Sequence, residues 1–267
     1  MSRPVRVAVN GATGRMGRLL VELLRRDRRF ELAAALTAPD APEMGAPVAP
    51  GSTVRYSHDW SQAGALDVAI DFSSPAGLAE ALAHCEARGV ALVVGTTGLD
   101  AAMLRRLEAA GRAIPLLRSA NFSLGVAVLA RLLREAAAVL RDWDLEIVEA
   151  HHGRKVDAPS GTALLLGEAA AAARGTTLAR AGVYAREGQT GPREPGAIGF
   201  AVVRGGDVVG EHTALLLGQG ERVELGHRAT DRSIFARGAI EAAHWLAGKS
   251  AGAYALDAML AERIAGG

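Results

Sequence analysis

The sequence predicts an α/β protein in which a doubly wound parallel sheet is joined to an α+β unit with a mixed open sheet. Three observations predict it. From Val5 to Leu117, short apolar runs alternate with helix-like segments, as parallel strands joined by crossover helices require. Gly11, Gly14 and Gly17 fall at the first passage from strand to helix. After Asn121 the alternation breaks, and three strand-like runs follow one another without helices between them. Consecutive strands imply a largely antiparallel or mixed sheet.

Val5–Val9 alternates apolar and other residues and reads as a strand. The glycine segment then opens an amphipathic helix that runs to Arg26. Phe30–Leu36 reads as a second strand, and residues 38–53, rich in Pro, Gly and Ala, read as a loop. Val68–Phe72 suits a buried strand, and Pro75 suits the first turn of a following helix. Val90–Val94 and Ile114–Leu117 are further strands, separated by a helix over Asp100–Ala110. Beyond the break come a long helix, Leu124–Leu140, and a strand, Leu145–Glu149. A polar, irregular stretch over 151–161 then leads into a second helix to Ala173. The consecutive runs are Ile198–Arg204, Val208–Leu217 and Arg222–Ala229, and from Arg232 the chain returns to helix.

Composition narrows the function classes. Hydrophobic residues at 49% and charged residues at 22% are ordinary for a globular chain and exclude disorder. Aromatics at 4% argue against a stacking platform for single-stranded nucleic acid. Thirty Lys+Arg against 29 Asp+Glu give a formal charge of +1, which points to neither a nucleic-acid partner nor a cation buffer. The single Cys85 excludes a disulfide framework and a cysteine-rich metal site, and its helical setting predicts burial. No apolar run reaches the roughly 18 residues of a membrane span. The chain enters its first strand without a signal-peptide core, so a soluble cytoplasmic protein with no membrane or nucleic-acid partner is expected. Lysine stands only at Lys155 and Lys249. A GC-rich codon bias would account for that, but a lysine that survives it keeps a proton it can lose, as arginine does not. Lys249, near a helix end, is expected to be solvated.

Gly11-x-x-Gly14-x-x-Gly17 between strand and helix suits a dinucleotide pyrophosphate. Glycines allow the tight turn and close backbone approach, and the helix start offers free N–H groups and a positive dipole end. The domain reading is therefore Rossmann-like, with an ordinary glycine-rich turn as the alternative. Thr13 replaces the usual middle glycine. The acid expected roughly 20 residues on, at the end of the second strand, is missing, because Thr37 stands near that point and the next carboxylate is Asp40. Asp71-Phe-Ser-Ser-Pro75 and Gly95-Thr-Thr-Gly98 follow strand C-termini, where open α/β sheets bind ligands. Backbone amides and hydroxyls of Gly95-Thr-Thr-Gly98 could line a cofactor groove; plain turn chemistry is the alternative.

The richest stretch is Glu149-Ala-His-His-Gly-Arg-Lys-Val-Asp-Ala-Pro-Ser-Gly-Thr162. Its cations, followed by Ser160-Gly-Thr162 at a helix start, suit a small dianion such as a dicarboxylate, with a His or Lys to move a proton. A metal site on His151, His152 and Asp157 has no common zinc spacing, and a solvated loop with a serine cap is the plain alternative. His58, His84 and His244 stand alone and read as surface or packing residues. His212 and His227 lie in strand-like runs and could face core or solvent. No Gly-x-Ser-x-Gly elbow is present, which excludes the serine-hydrolase reading.

Over essentially its whole length the chain resembles the 4-hydroxy-tetrahydrodipicolinate (dihydrodipicolinate) reductases. The resemblance rests on Gly11-Ala-Thr-Gly-Arg-Met-Gly17, Asp71-Phe-Ser-Ser-Pro75, Gly95-Thr-Thr-Gly98, Ser119-Ala-Asn-Phe-Ser123 and the Glu149–Ala163 block. It continues through Tyr184-Ala-Arg-Glu-Gly188, Gly199-Phe-Ala201, Arg204-Gly-Gly-Asp207 and Val209-Gly-Glu-His-Thr213. It implies NADPH- or NADH-dependent reduction of 4-hydroxy-tetrahydrodipicolinate to tetrahydrodipicolinate, on the diaminopimelate route to lysine. It makes His151 a proton donor or acceptor and Lys155 a proton donor that also contacts a substrate carboxylate. His152, Gly161 and Thr162 would hold the substrate. Gly11, Ala12, Thr13, Gly14, Arg15, Met16, Gly95, Thr96, Thr97, Ser119, Ala120, Asn121 and Phe122 would contact the cofactor. The implied organisation is a dinucleotide-binding domain over 1–121, a substrate-binding and tetramerisation domain over 122–231, and C-terminal helices over 232–267 that rejoin the first. A homotetramer is implied. Many members carry an acid, often followed by arginine, where this chain has Thr37-Ala38, which leaves the choice between NADH and NADPH open. The competing readings are a related nicotinamide-dependent amino-acid dehydrogenase and a non-catalytic NAD(P)H-binding regulator.

Overall fold

In the computed structural model, which describes residues 3–266, the chain opens with β1 (Val5–Asn10), α1 (Arg15–Leu24), β2 (Phe30–Leu36) and β3 (Tyr56–Ser57). A short 3-10 turn, Trp60–Ala63, precedes β4 (Val68–Asp71), α2 (Pro75–Arg88), β5 (Ala91–Val94), α3 (Ala101–Ala110) and β6 (Pro115–Arg118). There follow α4 (Leu124–Val139), β7 (Asp144–His151), α5 (Gly161–Ala173), α6 (Leu178–Ala181), β8 (Gly182–Val183), β9 (Ile198–Arg204), β10 (Gly210–Leu217) and β11 (Arg222–Ala229). The chain ends in α7 (Ser233–Leu246), β12 (Gly252–Tyr254) and α8 (Leu256–Ala265). Two units result. One runs to Phe122 and resumes at Ser233; the other spans Ser123–Arg232.

The first unit holds a parallel seven-stranded sheet in the order β12-β6-β5-β4-β1-β2-β3. Read outward from β1, the chain winds first to one side and then to the other, which is the doubly wound arrangement. All four residues of β4 and of β5 are buried. Helices cover both faces of such a sheet, so its central strands are apolar runs without alternation. Ser74 and Asp100 cap α2 and α3 by accepting from backbone N–H groups of Gly77 and Met103. Cys85 is fully buried and its thiol is pushed up to about 12 by burial, the state of a packing residue. The strands β3 and β12 escape the sequence reading because two and three residues carry no period. Lys249 is not simply solvated: its ammonium lies 2.5 Å from Glu262 and 4.6 Å from the Trp245 ring centroid.

The second unit is built on the sheet β11-β10-β7-β9-β8. β10 runs antiparallel to both β11 and β7, whereas β9 is parallel to β7 and to β8, so the sheet is mixed. One face is covered by α4 and α5. Leu133, Leu145, Ile147, Leu166, Ile198 and Leu216 are fully buried there. Alternate residues on the other face, Val148, Ala201, Val203 and Leu215, are half-buried or exposed. Among the described residues no helix is long and apolar enough to cross a membrane.

Gly238 offers a test of the first unit's packing. An alanine inside a helix ordinarily stabilises by roughly 0.5–1 kcal/mol over glycine. Here a Cβ would lie 1.7 Å from the Phe122 carbonyl oxygen. Gly238→Ala is therefore expected to destabilise, by about 1–3 kcal/mol as for an overpacked core. Urea unfolding of the two proteins measures it, and a more stable variant would refute the close approach.

Candidate active site

The C-terminal edge of the parallel sheet is assembled by backbone. Gly11 has φ +77°, and a Cβ on it would stand 2.4 Å from the Phe72 carbonyl oxygen, so only glycine fits. The Gly14 N–H donates to the Gly11 carbonyl, and Ala12 N–H to Leu36 O. Phe72 N–H donates to Asn10 O, Gly95 N–H to Asp71 O, and Ser119 N–H to Val94 O. These bonds tie the tips of β1, β4, β5 and β6 together, so the segments 11–16, 95–97 and 119–122 share one edge. The Phe72 and Phe122 rings pack with centroids 5.5 Å apart. Whereas α2, α3, α4 and α5 each have a side-chain cap, α1 has none. Gly14 and Arg15 at its start are exposed. Its first N–H groups are open donors, and the residues present fit a dinucleotide pyrophosphate.

Sequence reasoning passed over what lies beneath this edge. The fully buried Asp71 carboxylate accepts from Asn10 Nδ2 at 2.7 Å, Ser73 Oγ at 2.6 Å and Thr96 Oγ1 at 2.5 Å. Burial pushes its pKa up, against these donors. The Thr96 hydroxyl is thus turned inward, where it also accepts from Ser73 N–H at 2.9 Å. Of the two threonines in Gly95-Thr-Thr-Gly98, only the exposed Thr97 can offer its hydroxyl to a groove, because the buried acid claims Thr96. Thr37, just past β2, meets Thr13 of the glycine loop, Oγ1 to Oγ1 at 2.5 Å. Arg15 is exposed, and Arg18 is engaged by Glu43 and the Thr13 carbonyl.

In the second unit the helix-facing side of β7 reads Leu145, Ile147, Glu149, His151, apolar at one end and polar at the other. Glu149 is the hub. Its side chain is fully buried, and each oxygen accepts twice. Oε1 takes Ser160 N–H at 2.9 Å and Arg204 Nη2 at 2.8 Å; Oε2 takes His151 Nδ1 at 2.6 Å and Arg204 Nη1 at 2.8 Å. Burial alone would raise this carboxyl, but Arg204, His151 and Ser160 together hold it below the ordinary range. Ser160 is the N-cap of α5, its Oγ accepting from Ala163 N–H, and Gly161 and Thr162 form the first helical turn. His212 lies opposite Glu149 on β10. Its Nε2 is 3.0 Å from Ser160 Oγ, and its ring meets the His151 ring edge-on at 5.1 Å. Burial depresses the His212 pKa to about 4.

The structure therefore joins His151 to the start of α5 through Glu149. Lys155 is held elsewhere: its Nζ is bound by both Asp157 oxygens, at 2.7 and 2.8 Å, and that contact lowers the Asp157 pKa. His152 Nε2 is 3.2 Å from Arg232, and its N–H donates to Val208 O. Burial lowers its pKa, with help from Arg154 and Arg232. Glu149 was visible only as the start of the motif; Arg204 and His212 stand in motifs of the family resemblance, but nothing local ties them to His151. His227, across from His212, sits 3.4 Å from Ser123, while His84 and His244 pack on Trp60 and Phe30.

Residues 5–122 match the family described as dihydrodipicolinate reductase, N-terminus, and residues 125–260 that described as dihydrodipicolinate reductase, C-terminus. A 4-hydroxy-tetrahydrodipicolinate reductase of Acinetobacter baumannii (strain AYE) is 45% identical, with 97% of each chain covered. One of Thiobacillus denitrificans is 48% identical, over 94% of this chain and 96% of its own. Among solved structures, a dipicolinate-bound dihydrodipicolinate reductase from Paenisporosarcina sp. TG-14 superposes with TM-score 0.76 at 24% identity, covering 94% of this chain and 97% of its own. An amine dehydrogenase of Mycobacterium smegmatis, at 12% identity and TM-score 0.55 over 95% of both chains, shares the fold alone.

The depressed His212 pKa has a consequence for stability. Between pH 6.5 and about 4 the unfolded chain takes up a proton at this residue and the folded chain does not. Stability is thus lost as pH falls through that window, by an amount on the order of 3 kcal/mol from this residue. His212→Gln keeps an acceptor near Ser160 and removes the titration. Unfolding free energies at the two ends of the window should differ less in the variant, and an unchanged difference would place the titration elsewhere.

Proposed function

The chain belongs to the dihydrodipicolinate reductase family, and on that premise we propose that it reduces 4-hydroxy-tetrahydrodipicolinate to tetrahydrodipicolinate with NADPH or NADH, on the diaminopimelate route to lysine. The observation that carries the reading is the Glu149 carboxylate, which links a histidine ring to the N-terminus of α5. A proton-transferring group and an anion-binding helix start are what reduction of a small dicarboxylate needs. A bound dihydronicotinamide would supply a hydride for C4 of the substrate, whose C4 hydroxyl would take up a proton and leave as water.

The chain's residues do the rest. Gly11, Ala12, Thr13, Gly14, Arg15 and Met16 receive the pyrophosphate at the uncapped start of α1; Gly95–Thr97 and Ser119–Phe122 hold the remainder of the cofactor on the same edge. Gly161 and Thr162 bind one substrate carboxylate at the α5 N-terminus, and His152 helps to hold the substrate. His151 exchanges a proton with it. Lys155 donates a proton and contacts a carboxylate, which takes the place Asp157 now fills on its ammonium. The uncovered face of the mixed sheet, with Val148, Val203 and Leu215, suits contact between copies in a homotetramer. Localisation in the cytoplasm follows from the pathway. A dehydrogenase acting on another substrate shares the fold but has no use for the whole 149–162 block.

NADPH and NADH oxidation coupled to the synthase that makes the substrate tests the reading. Tight cofactor binding without turnover would favour a non-catalytic regulator. Lys155→Arg keeps the charge and removes a transferable proton. It should lower kcat by about 10²–10⁴-fold and leave cofactor affinity nearly unchanged; near-normal turnover would reduce Lys155 to a counter-charge.

Cofactor choice turns on Thr37. A carboxylate at the end of β2 accepts from the ribose hydroxyls of NADH and repels the 2′-phosphate of NADPH. With two threonine hydroxyls there instead, both cofactors should serve, NADPH at least as well as NADH. Thr37→Glu should shift kcat/KM toward NADH by an effect on the order of 1 kcal/mol, smaller at high salt. An unmoved ratio would mean that position 37 does not face the ribose.

A further inference from the structure

The Glu149 carboxylate does more than join two elements. We propose that Glu149 is a positioning residue that locks His151 in its Nδ1–H tautomer, so that Nε2 bears the lone pair and is the atom that exchanges a proton with substrate. The inference deepens the reading above and rests on His151 acting there.

The geometry leaves Glu149 no other role toward the ring. Arg204 grips both carboxylate oxygens, at 2.8 Å each, and keeps the group ionised. An ionised carboxylate only accepts, so the His151 nitrogen 2.6 Å away must carry a proton. That nitrogen is Nδ1. The neutral ring then has its lone pair on Nε2. Nε2 stands over Gly210, where a Cβ would lie 3.0 Å from it, so a residue without a side chain leaves room beside that atom. His212, packed against the ring, cannot offer a rival bond through Nε2, which Ser160 Oγ occupies. The ring is thus fixed in orientation by packing and in tautomer by one hydrogen bond. Carboxylates that sit behind metal-bound or catalytic histidines act in the same way.

Glutamine at this position separates tautomer from shape. It has one acceptor oxygen where the carboxylate has two. Turned toward Ser160, that oxygen satisfies Ser160 N–H and one Arg204 N–H, and the amide NH2 then faces His151. Nδ1 must accept, and the ring proton moves to Nε2. Turned the other way, the NH2 meets two N–H groups that cannot accept, so the first arrangement is preferred.

The test reads the tautomer directly, by ¹H–¹⁵N correlation of the histidine side chains, with His151→Gln identifying the resonance. The wild type should show Nδ1–H and Glu149→Gln should show Nε2–H. Turnover of Glu149→Gln should fall by about 10²–10⁴-fold, as when a triad carboxylate is replaced by its amide. Its affinity for pyridine-2,6-dicarboxylate should change little, because Ser160 keeps its partner. A wild-type ring protonated on Nε2 overturns the proposal, and that measurement stands even where the variant does not fold. So does near-normal turnover of Glu149→Gln beside an impaired His151→Gln. Normal turnover of His151→Gln itself would sink the functional reading of that histidine rather than the tautomer lock.

Discussion

A buried negative charge organises the second unit. Leaving the Glu149 carboxylate out of water without partners would cost far more than the net stability of a domain permits. Its four hydrogen bonds come from three parts of the chain, and each dictates a piece of the fold. Arg204 reaches it because β9 lies parallel to β7 with Arg204 in register with His151. Ser160 reaches it because the 152–159 loop returns the chain to the end of β7 before α5 begins. The mixed sheet follows from this requirement together with the antiparallel hairpin of β10 and β11. The first unit has a backbone counterpart. Gly11 and Gly17 let the glycine loop close on itself, and a Cβ on Gly17 would lie 2.0 Å from the Gly11 carbonyl oxygen.

Much of this was legible in the sequence because it is periodic or local. Strand and helix alternation gave β1, β2, β4, β5 and β6 to within one or two residues, the usual uncertainty of element ends. The change to consecutive strands gave the mixed sheet. The glycine spacing and the 149–162 block are contiguous and point to their own chemistry. What stayed hidden is nonlocal or too short to have a period: β3, β8 and β12, and every partner of Glu149 beyond its own motif. Arg204 and His212 are far from His151 in the chain and become neighbours only through strand pairing. Lys155 shows the opposite limit. Its rarity was visible, but not that Asp157, two residues on, would hold its ammonium. Lys249 likewise meets Glu262 only because α8 docks on α7.

The two units each bury a carboxylate near a strand's C-terminal end, yet the environments push them in opposite directions. Asp71 meets one amide and two hydroxyls, all neutral, and burial wins. Neutral donors of this kind stabilise a charge weakly and tolerate its loss, since hydroxyls can turn to accept a proton from the acid. Asp71 therefore serves as a knot that holds Thr96, Ser73 and Asn10 at the sheet edge in either protonation state. Glu149 meets a guanidinium that cannot give up its proton and cannot turn away, and its ionised form wins. Only a carboxylate held in that form can dictate which nitrogen of a neighbouring ring bears hydrogen. A neutral acid there would donate instead, and the ring would be free to take the other tautomer. The difference between a structural knot and a chemical guide thus lies in the partner, Thr96 or Arg204, rather than in the carboxylate.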